Sequence, residues 1–344
     1  MTKFSPDQPL KVAVMSFAHT HARSYIELLK RYKNVSVLTS DPGPHPEGEI
    51  RGRALAEQLG VDYVNTYEEL LAWEPDAAVV TSENTRHRHL VELAAAAGAH
   101  VLCEKPLATT LEDGLAIRKA VADADVILMV AFPVRFATTF QKLKAAHDNG
   151  ALGELITVRG SNNGKLPLAR SWFTDPALSG GGALVDHIVH IADLLEALMG
   201  SSPTSVTALT NQKLHAERAQ AETAGLVTIT YANGVIAAID CSWSQPDIAP
   251  TWGGMKITVG GTAGSVDVNF FGPRARGLDT TTGRPIELPY GPNFDDTLLD
   301  TFVTAVRNGL QPQPDVHVGL KTLRILLAAQ ESARTGKTVA ITEN

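Results

Sequence analysis

The residues best suited to chemistry fall in two places. Glu104-Lys105-Pro106 follows a short apolar run, His100 to Cys103. A lysine at a strand end can polarise a carbonyl or hydroxyl oxygen. Pro106 removes an amide donor and keeps Lys105 extended. Taken alone, the tripeptide also reads as a surface lysine at a turn. Further along, Gly180-Gly181-Gly182 runs into a helical pattern carrying Asp186, His190 and Asp193. These stand at i, i+4 and i+7 and share one helix face. A carboxylate four residues from an imidazole can orient it and stabilise its charged form, as a general base near neutral pH requires. A structural histidine is the plain alternative. His187 turns about 100° from Asp186 on a helix. Ligation by Asp186, His187 and His190 from one turn is therefore poor, and no metal is expected.

Polar residues also follow other apolar runs: Ser16, Ala18, His19 and His21 after the first, Asp41 after the second, then Thr81, Asn84 and His87. Ligands of open parallel sheets bind beyond the carboxyl ends of the strands, so these positions suit a nucleotide or sugar-like ligand. Asp41 stands where an acid can hold a ribose 2′-hydroxyl and repel a 2′-phosphate; a solvated turn aspartate before Pro42 is its simpler reading. The first loop, Ser16-Phe17-Ala18-His19-Thr20-His21, has no glycine, although a dinucleotide fold usually carries G-x-G-x-x-G there. Its small residues still let the backbone approach a pyrophosphate, and the next helix can donate amides. By itself the loop reads more readily as one that binds no dinucleotide. The pairs His19/His21 and His87/His89 are residue types that also bind metals. For His89 a surface or hydrogen-bonding role is the expectation, while His87 opens a helix and is a candidate ligand contact.

These side chains need a frame. Strand and helix patterns alternate from residue 11 to about 131, with Gly60 and Gly98 as helix stops. That predicts parallel βαβ units in a doubly wound sheet. After about residue 150 the pattern changes to strands at 206–209, 224–231, 235–241 and 256–259, with an Asn233-Gly234 hairpin turn. A helix over 183–198 precedes them and one over 318–335 follows. The fold class is α/β: a Rossmann-type N-terminal domain over 8–130, then an α+β domain over 131–344 with a large, mainly antiparallel open sheet. The last helix is expected to pack back on the first domain.

The chain has 344 residues, 44% hydrophobic and 19% charged, with a formal net charge of −7. Such values suit a globular chain of about two domains and offer no general attraction to nucleic acid or acidic membranes. Two cysteines exclude a disulfide scaffold. No apolar run spans a bilayer and the polar lead-in before the first strand is not a secretory signal, so a cytoplasmic protein is expected.

Several motifs in order resemble the Gfo/Idh/MocA oxidoreductases over nearly the whole length. Thr81 to His87 resembles a T-P-N-x-x-H loop with Ser in place of Pro. Gly98 to Leu107 resembles G-K-H-V-x-C-E-K-P. Gly150 to Leu155 resembles G-x-I-G-E-I. Gly180 to Asp193 resembles G-G-G-x-x-x-D-x-G-x-H-x-x-D with Ile188 for the later Gly, and Gly260 to Ser265 resembles G-T-E-G-S. In the first loop, Ser16, Ala18 and His21 replace three glycines, or the loop is shorter and His21 matches a histidine that many members carry. His19 and His21 are then candidate phosphate contacts.

The resemblance implies NAD-dependent oxidation of a secondary alcohol of a sugar, inositol or related polyol, or the reverse reduction, with NADP as a second possible cofactor. By the same resemblance Lys105 contacts the reacting oxygen and His190, partnered by Asp186, moves the hydroxyl proton. Arg135, Trp172 and His187 are placed near the substrate. Ser16, Ala18, His19, His21, Asp41, Thr81, Asn84, His87, Glu104 and Lys105 are placed near the cofactor. A homo-oligomer, dimer or tetramer, is expected through the C-terminal sheet. Two other functions fit the same scaffold: a redox-neutral sugar-modifying enzyme with tightly bound NAD, and a non-catalytic sensing regulator.

Overall fold

The computed structural model describes residues 8–272, 274–291 and 293–342. The polar lead-in before residue 8, Pro273 and the last two residues lie outside them. The chain divides into two compact units. The first takes the residues through Phe132, Leu168–Gly180 and Asp295–Leu323; the second takes Pro133–Pro167, Gly181–Phe294 and the chain from Arg324 onward.

The first unit is built on β1 (Leu10–Met15), β2 (Val35–Ser40), β3 (Asp62–Tyr63), β4 (Ala77–Val80), β5 (His100–Cys103) and β6 (Leu128–Val130), between which run α1 (His21–Leu29), α2 (Gly52–Leu59), α3 (Tyr67–Ala72), α4 (His87–Ala96) and α5 (Leu111–Asp123). Every strand pair is parallel, in the order β3-β2-β1-β4-β5-β6. The strand order reverses between β1 and β4, so a ligand crevice is expected at the carboxyl ends of these two. β4 and β5 are buried along their whole length, as expected of strands covered on both faces.

Local chemistry sets the helix ends. The hydroxyls of Thr66 and Thr110 accept from the amides of Glu69 and Asp113, capping α3 and α5. Gly60 takes φ +57° and ends α2. α1 stops at Leu29, and i→i+3 bonds from Arg31 and Tyr32 tighten the chain beyond it. Just before β6, the amide of Ile127 bonds His100 Nδ1.

The second unit contains α6 (Thr138–Asp148), β7 (Leu155–Lys165), α8 (Ala183–Met199), β8 (Pro203–Asn211), β9 (Ala224–Tyr231), β10 (Ile236–Gln245), β11 (Gly253–Gly261) and β12 (Ser265–Asn269), after the short α7 (Pro176–Ser179) of the first unit. The hairpin β13 (Arg274–Asp279) and β14 (Arg284–Pro289) and the strand β15 (Val339–Ala340) also belong to the second unit, while α9 (Phe294–Asn308, from Asp295 onward) and the first turns of α10 (Val316–Thr335) belong to the first unit. The large sheet runs β12-β11-β7-β10-β9-β8-β15 and is antiparallel except for β7 beside β10.

β7 has no sequence signature of a strand, since Asn162, Asn163 and two glycines interrupt it. It forms because β10 and β11 pair with it from either side. Its glycines give way to neighbours: a Cβ on Gly160 would lie 2.8 Å from Ile191 Cδ1. α6 and α9 also escaped the sequence reading. In the first unit, the opening turns of α10 pack closely on α5 and β6. A Cβ on Gly114 would meet Leu320 and Leu323, and one on Gly319 would meet Val130.

Candidate active site

In the first unit the glycine-free loop is stitched in place by its neighbours. Ser16 takes φ +76°, a left-handed backbone that glycine would adopt without strain. Its hydroxyl donates to Asp41 Oδ1 at 3.1 Å and accepts from the Ala18 amide at 3.2 Å. The Thr81 hydroxyl donates to the Ser16 carbonyl at 2.6 Å, and the Thr81 carbonyl accepts from the His19 amide at 2.8 Å. Trp172 Nε1 donates to the Ala18 carbonyl at 2.9 Å, and its ring is buried beside His19. Ser16, Ala18, Thr81 and Trp172 thus come together, with Trp172 clamping the loop from beneath.

Asp41 is 2% exposed, which overturns its reading as a solvated turn residue. Arg51 binds it twice, Nη2 to Oδ1 at 2.8 Å and Nε to Oδ2 at 3.1 Å, and the Gly52 amide donates to Oδ2. Burial alone would push its carboxyl up. The Arg51 hydrogen bonds and charge prevail and hold it below its usual range. Arg51 also reaches Glu83 at 3.3 Å. Neither Arg51 nor Glu83 was singled out from sequence. The available signal was an arginine opening the helix after Asp41.

Thr20, Arg23, His19, Gly48, Ile50, Leu55 and Arg170 line a cavity of about 380 Å³ at the N-terminus of α1. Among the described residues Arg170 Nε there has no hydrogen-bond partner, and it lies 3.7 Å from Glu49 Oε2. Two arginines, a buried unpaired donor and a helix N-terminus suit a diphosphate. Asp41 beside them suits a ribose, so the residues present fit a dinucleotide.

Glu104 is the second closely held acid of this unit. Its carboxylate is fully buried. Oε1 accepts from the Tyr25 hydroxyl at 2.8 Å and is bonded to His21 Nδ1 at 2.8 Å; Oε2 accepts from the Lys105 amide at 3.2 Å. Burial would raise its pKa, but the charges of His19, His21 and Lys105 and the His21 hydrogen bond hold it far below the carboxylate range. The His19 and His21 rings meet edge to face at 4.4 Å.

Lys105 is 5% exposed, so the reading of Lys105 as a surface turn residue fails. His87 is fully buried, with Nδ1 donating to the Pro106 carbonyl at 2.8 Å; burial lowers its pKa, so it stays neutral and braces the Lys105-Pro106 turn. Asn84 Nδ2 donates to the Ser179 carbonyl at 2.8 Å. Both side chains serve the scaffold next to the strand ends.

In the second unit α8 carries Asp186, His187, His190 and Asp193. The wheel argument that separated His187 from Asp186 fails, because His187 Nε2 lies 3.2 Å from Asp186 Oδ2. A 100° step applies to the Cβ directions, and two side chains longer than a Cβ can bend toward each other. His187 is 1% exposed, its ring edge-on to Trp252 at 5.3 Å. Trp243 Nε1 donates to Asp186 Oδ2 at 3.1 Å. Asp193 takes a bidentate ion pair from Arg135, through Nη2 and Nε. Burial pushes its carboxyl up to about 6 despite Arg135. Glu222 closes the N-terminus of α8: its Oε1 accepts from the Gly182 amide at 2.7 Å and the Leu184 amide at 3.2 Å. No sequence signal marked that contact, because forty residues separate its ends.

Among the described residues no helix is long and apolar enough to cross a membrane. The chain matches two family models: the oxidoreductase family with an NAD-binding Rossmann fold over residues 15–132, and the GFO/IDH/MocA C-terminal domain over residues 140–267. It is 30% identical to 1,5-anhydro-D-fructose reductase of Ensifer adhaerens over 298 residues, covering 85% of this chain and 88% of the relative. Among solved structures it resembles GenD2 from gentamicin A biosynthesis in complex with NAD, with TM-score 0.87, 25% identity and 99% of each chain covered. It also resembles myo-inositol 2-dehydrogenase from Lactobacillus plantarum, with TM-score 0.82, 25% identity, 97% of this chain and 100% of the other.

Proposed function

Because the chain belongs to the Gfo/Idh/MocA oxidoreductases, an NAD-binding enzyme family, we propose that it oxidises a secondary alcohol of a sugar, inositol or related polyol, or runs the reverse reduction, with NAD preferred over NADP. The observation that carries this reading is the buried Glu104–Lys105 pair at the end of β5, in the same unit as the diphosphate-shaped cavity. Neither the redox-neutral enzyme nor the regulator draws support from the relatives, which are named as reductases and dehydrogenases.

When bound, NAD supplies a hydride acceptor at its nicotinamide ring. The chain's own residues do the rest. Lys105 donates a hydrogen bond to the reacting oxygen and favours its alkoxide-like charge. A ring nitrogen of His190 takes the hydroxyl proton, and Asp186, anchored by Trp243, favours the imidazolium. Asp41, held ionised by Ser16, Arg51 and the Gly52 amide at the end of β2, disfavours a 2′-phosphate there. Arg135 acts behind the substrate by fixing Asp193, and His187 and Trp172 shape its surroundings.

Copies of the chain associate through the seven-stranded sheet, whose Leu209, Leu226 and Ile236 are at least half exposed, with Leu209 and Leu226 paired across β8 and β9. The enzyme works in the cytoplasm. Calorimetry with NAD and NADP, followed by turnover on a sugar and inositol panel, tests the reading. Binding of NAD with NADH formation on a polyol is expected; absence of any dinucleotide binding would overturn it. Light scattering at known concentration tests the assembly, and a strict monomer would refute it.

A further inference from the structure

We propose that His21, through its ion pair with Glu104, sets the balance of affinity between the oxidised and the reduced dinucleotide. The inference rests on the dinucleotide reading above and deepens it. Whichever way the loop aligns with a glycine-rich one, it ends on an ionisable side chain at the start of α1. Here the loop brings His21, whose Nδ1 sits 2.8 Å from a carboxylate with no solvent exposure. The His21 side chain is 33% exposed, so its proton can exchange with water.

Glu104 is tied directly to Lys105 through the Lys105 amide. Lys105 is the residue assigned to the reacting oxygen, so the nicotinamide ring must come to this neighbourhood for transfer to occur. The oxidised ring carries a positive charge and the reduced ring is neutral. With His21 protonated, the pair is neutral overall and treats the two forms alike. With His21 deprotonated, a buried negative charge remains and favours the oxidised ring.

The other charged and titratable groups facing His21 are Lys105, which opposes its protonation, and Asp295, which supports it; Tyr25 and the His19 ring complete its surroundings. Burial works against the imidazolium, yet Glu104 prevails and the His21 pKa lies above its ordinary value. The change of charge therefore falls above the pH at which an ordinary histidine titrates.

The test measures dissociation constants of NAD+ and NADH by calorimetry on the full-length protein, between about pH 6 and 9, the range in which a perturbed histidine titrates. In the unaltered chain the ratio of the NADH constant to the NAD+ constant is expected to rise with pH by about tenfold, the scale of one unit-charge interaction in a partly screened site. His21→Gln leaves Glu104 uncompensated and should hold the ratio at the high plateau at every pH. Glu104→Gln removes the negative charge and should hold it at the low plateau. The two variants bracket the unaltered chain from opposite sides, so either one, shown folded by its melting curve, suffices. A ratio that does not change with pH in the unaltered chain, or a slope that persists in His21→Gln, would overturn the proposal while leaving the dinucleotide reading intact. A tightly bound metal in place of the His21 proton would also overturn it. Failure of both nucleotides to bind the unaltered chain would overturn the dinucleotide reading and this proposal together.

Discussion

The loop after β1 and the glycine run before α8 both deliver a chain to the start of a helix, and they do so by opposite means. The run relies on missing side chains. A Cβ on Gly182 would lie 2.0 Å from the Glu222 carbonyl oxygen, and Gly180 and Gly181 both take positive φ. The loop relies on side chains that lock together. Ser16 accepts a left-handed backbone, and hydrogen bonds from Thr81 and Trp172 and to Asp41 hold it there. The difference teaches that absence of glycine does not mean absence of a tight turn. A serine can stand in such a turn when its hydroxyl and its neighbours offset a left-handed penalty of about 1–2 kcal/mol.

The comparison can be broken or sharpened by substitution. The largest effects should fall on turnover, because each region leads toward one group assigned to the reaction. Lys105→Ala should lower kcat by about 10²–10³-fold, the scale of losing one donor to a developing oxyanion. NAD binding should be mostly kept, and loss of binding with kcat unchanged would contradict the assigned role. His190→Asn should cost about 10²–10⁴-fold in kcat, the range for a general base, and should flatten the limb of the pH–rate profile that the base produces.

Stability separates the two regions next. Gly182→Ala should destabilise by about 2–4 kcal/mol in denaturant titration, since the new methyl meets backbone that cannot move aside. Ser16→Gly should change stability by no more than about 1 kcal/mol, because relief of the left-handed backbone offsets the lost hydroxyl bonds. Equal costs at the two positions would erase the contrast.

The smallest effect concerns acid. Glu104 has a folded pKa far below its ordinary value of 4.5. Its ionised form therefore contributes stability that is complete above that value and is lost as pH falls toward the folded pKa. Glu104→Gln should flatten the decline in stability below about pH 4.5 by comparison with the unaltered chain. An unchanged acid limb would show that the carboxylate is not held by His19 and His21 as described.

How much of this was legible can be argued from particular residues. β1, β4 and β5 announce themselves as apolar runs, and α8 by its 3.6-residue period, because those signals need only local sequence. β7 gave no such signal, since Asn162, Asn163 and two glycines belong to a strand only when partners pair on both sides. Asp41, Glu104 and His21 were marked as candidate site residues, but the contacts that join them, and the partners Arg51 and Tyr25, were not. Arg51, Tyr25 and His21 reach them from ten, seventy-nine and eighty-three residues away. His187 was misread as turned away from Asp186 because a helical wheel fixes Cβ directions and leaves side-chain torsions free.

Local sequence was enough for the alternation of strands and helices, the residue types at the strand ends, and the placing of Asp186 and His190 one turn apart on a helix. Those follow from backbone periodicity, which each short segment carries alone. Only the tertiary structure decided which charges meet: Arg51 on Asp41, Arg135 on Asp193, Glu222 on the start of α8, and His21 on Glu104. Burying a charge is costly unless a partner is brought to it. The folded chain therefore selects those partners by proximity in space, which spacing along the sequence does not encode.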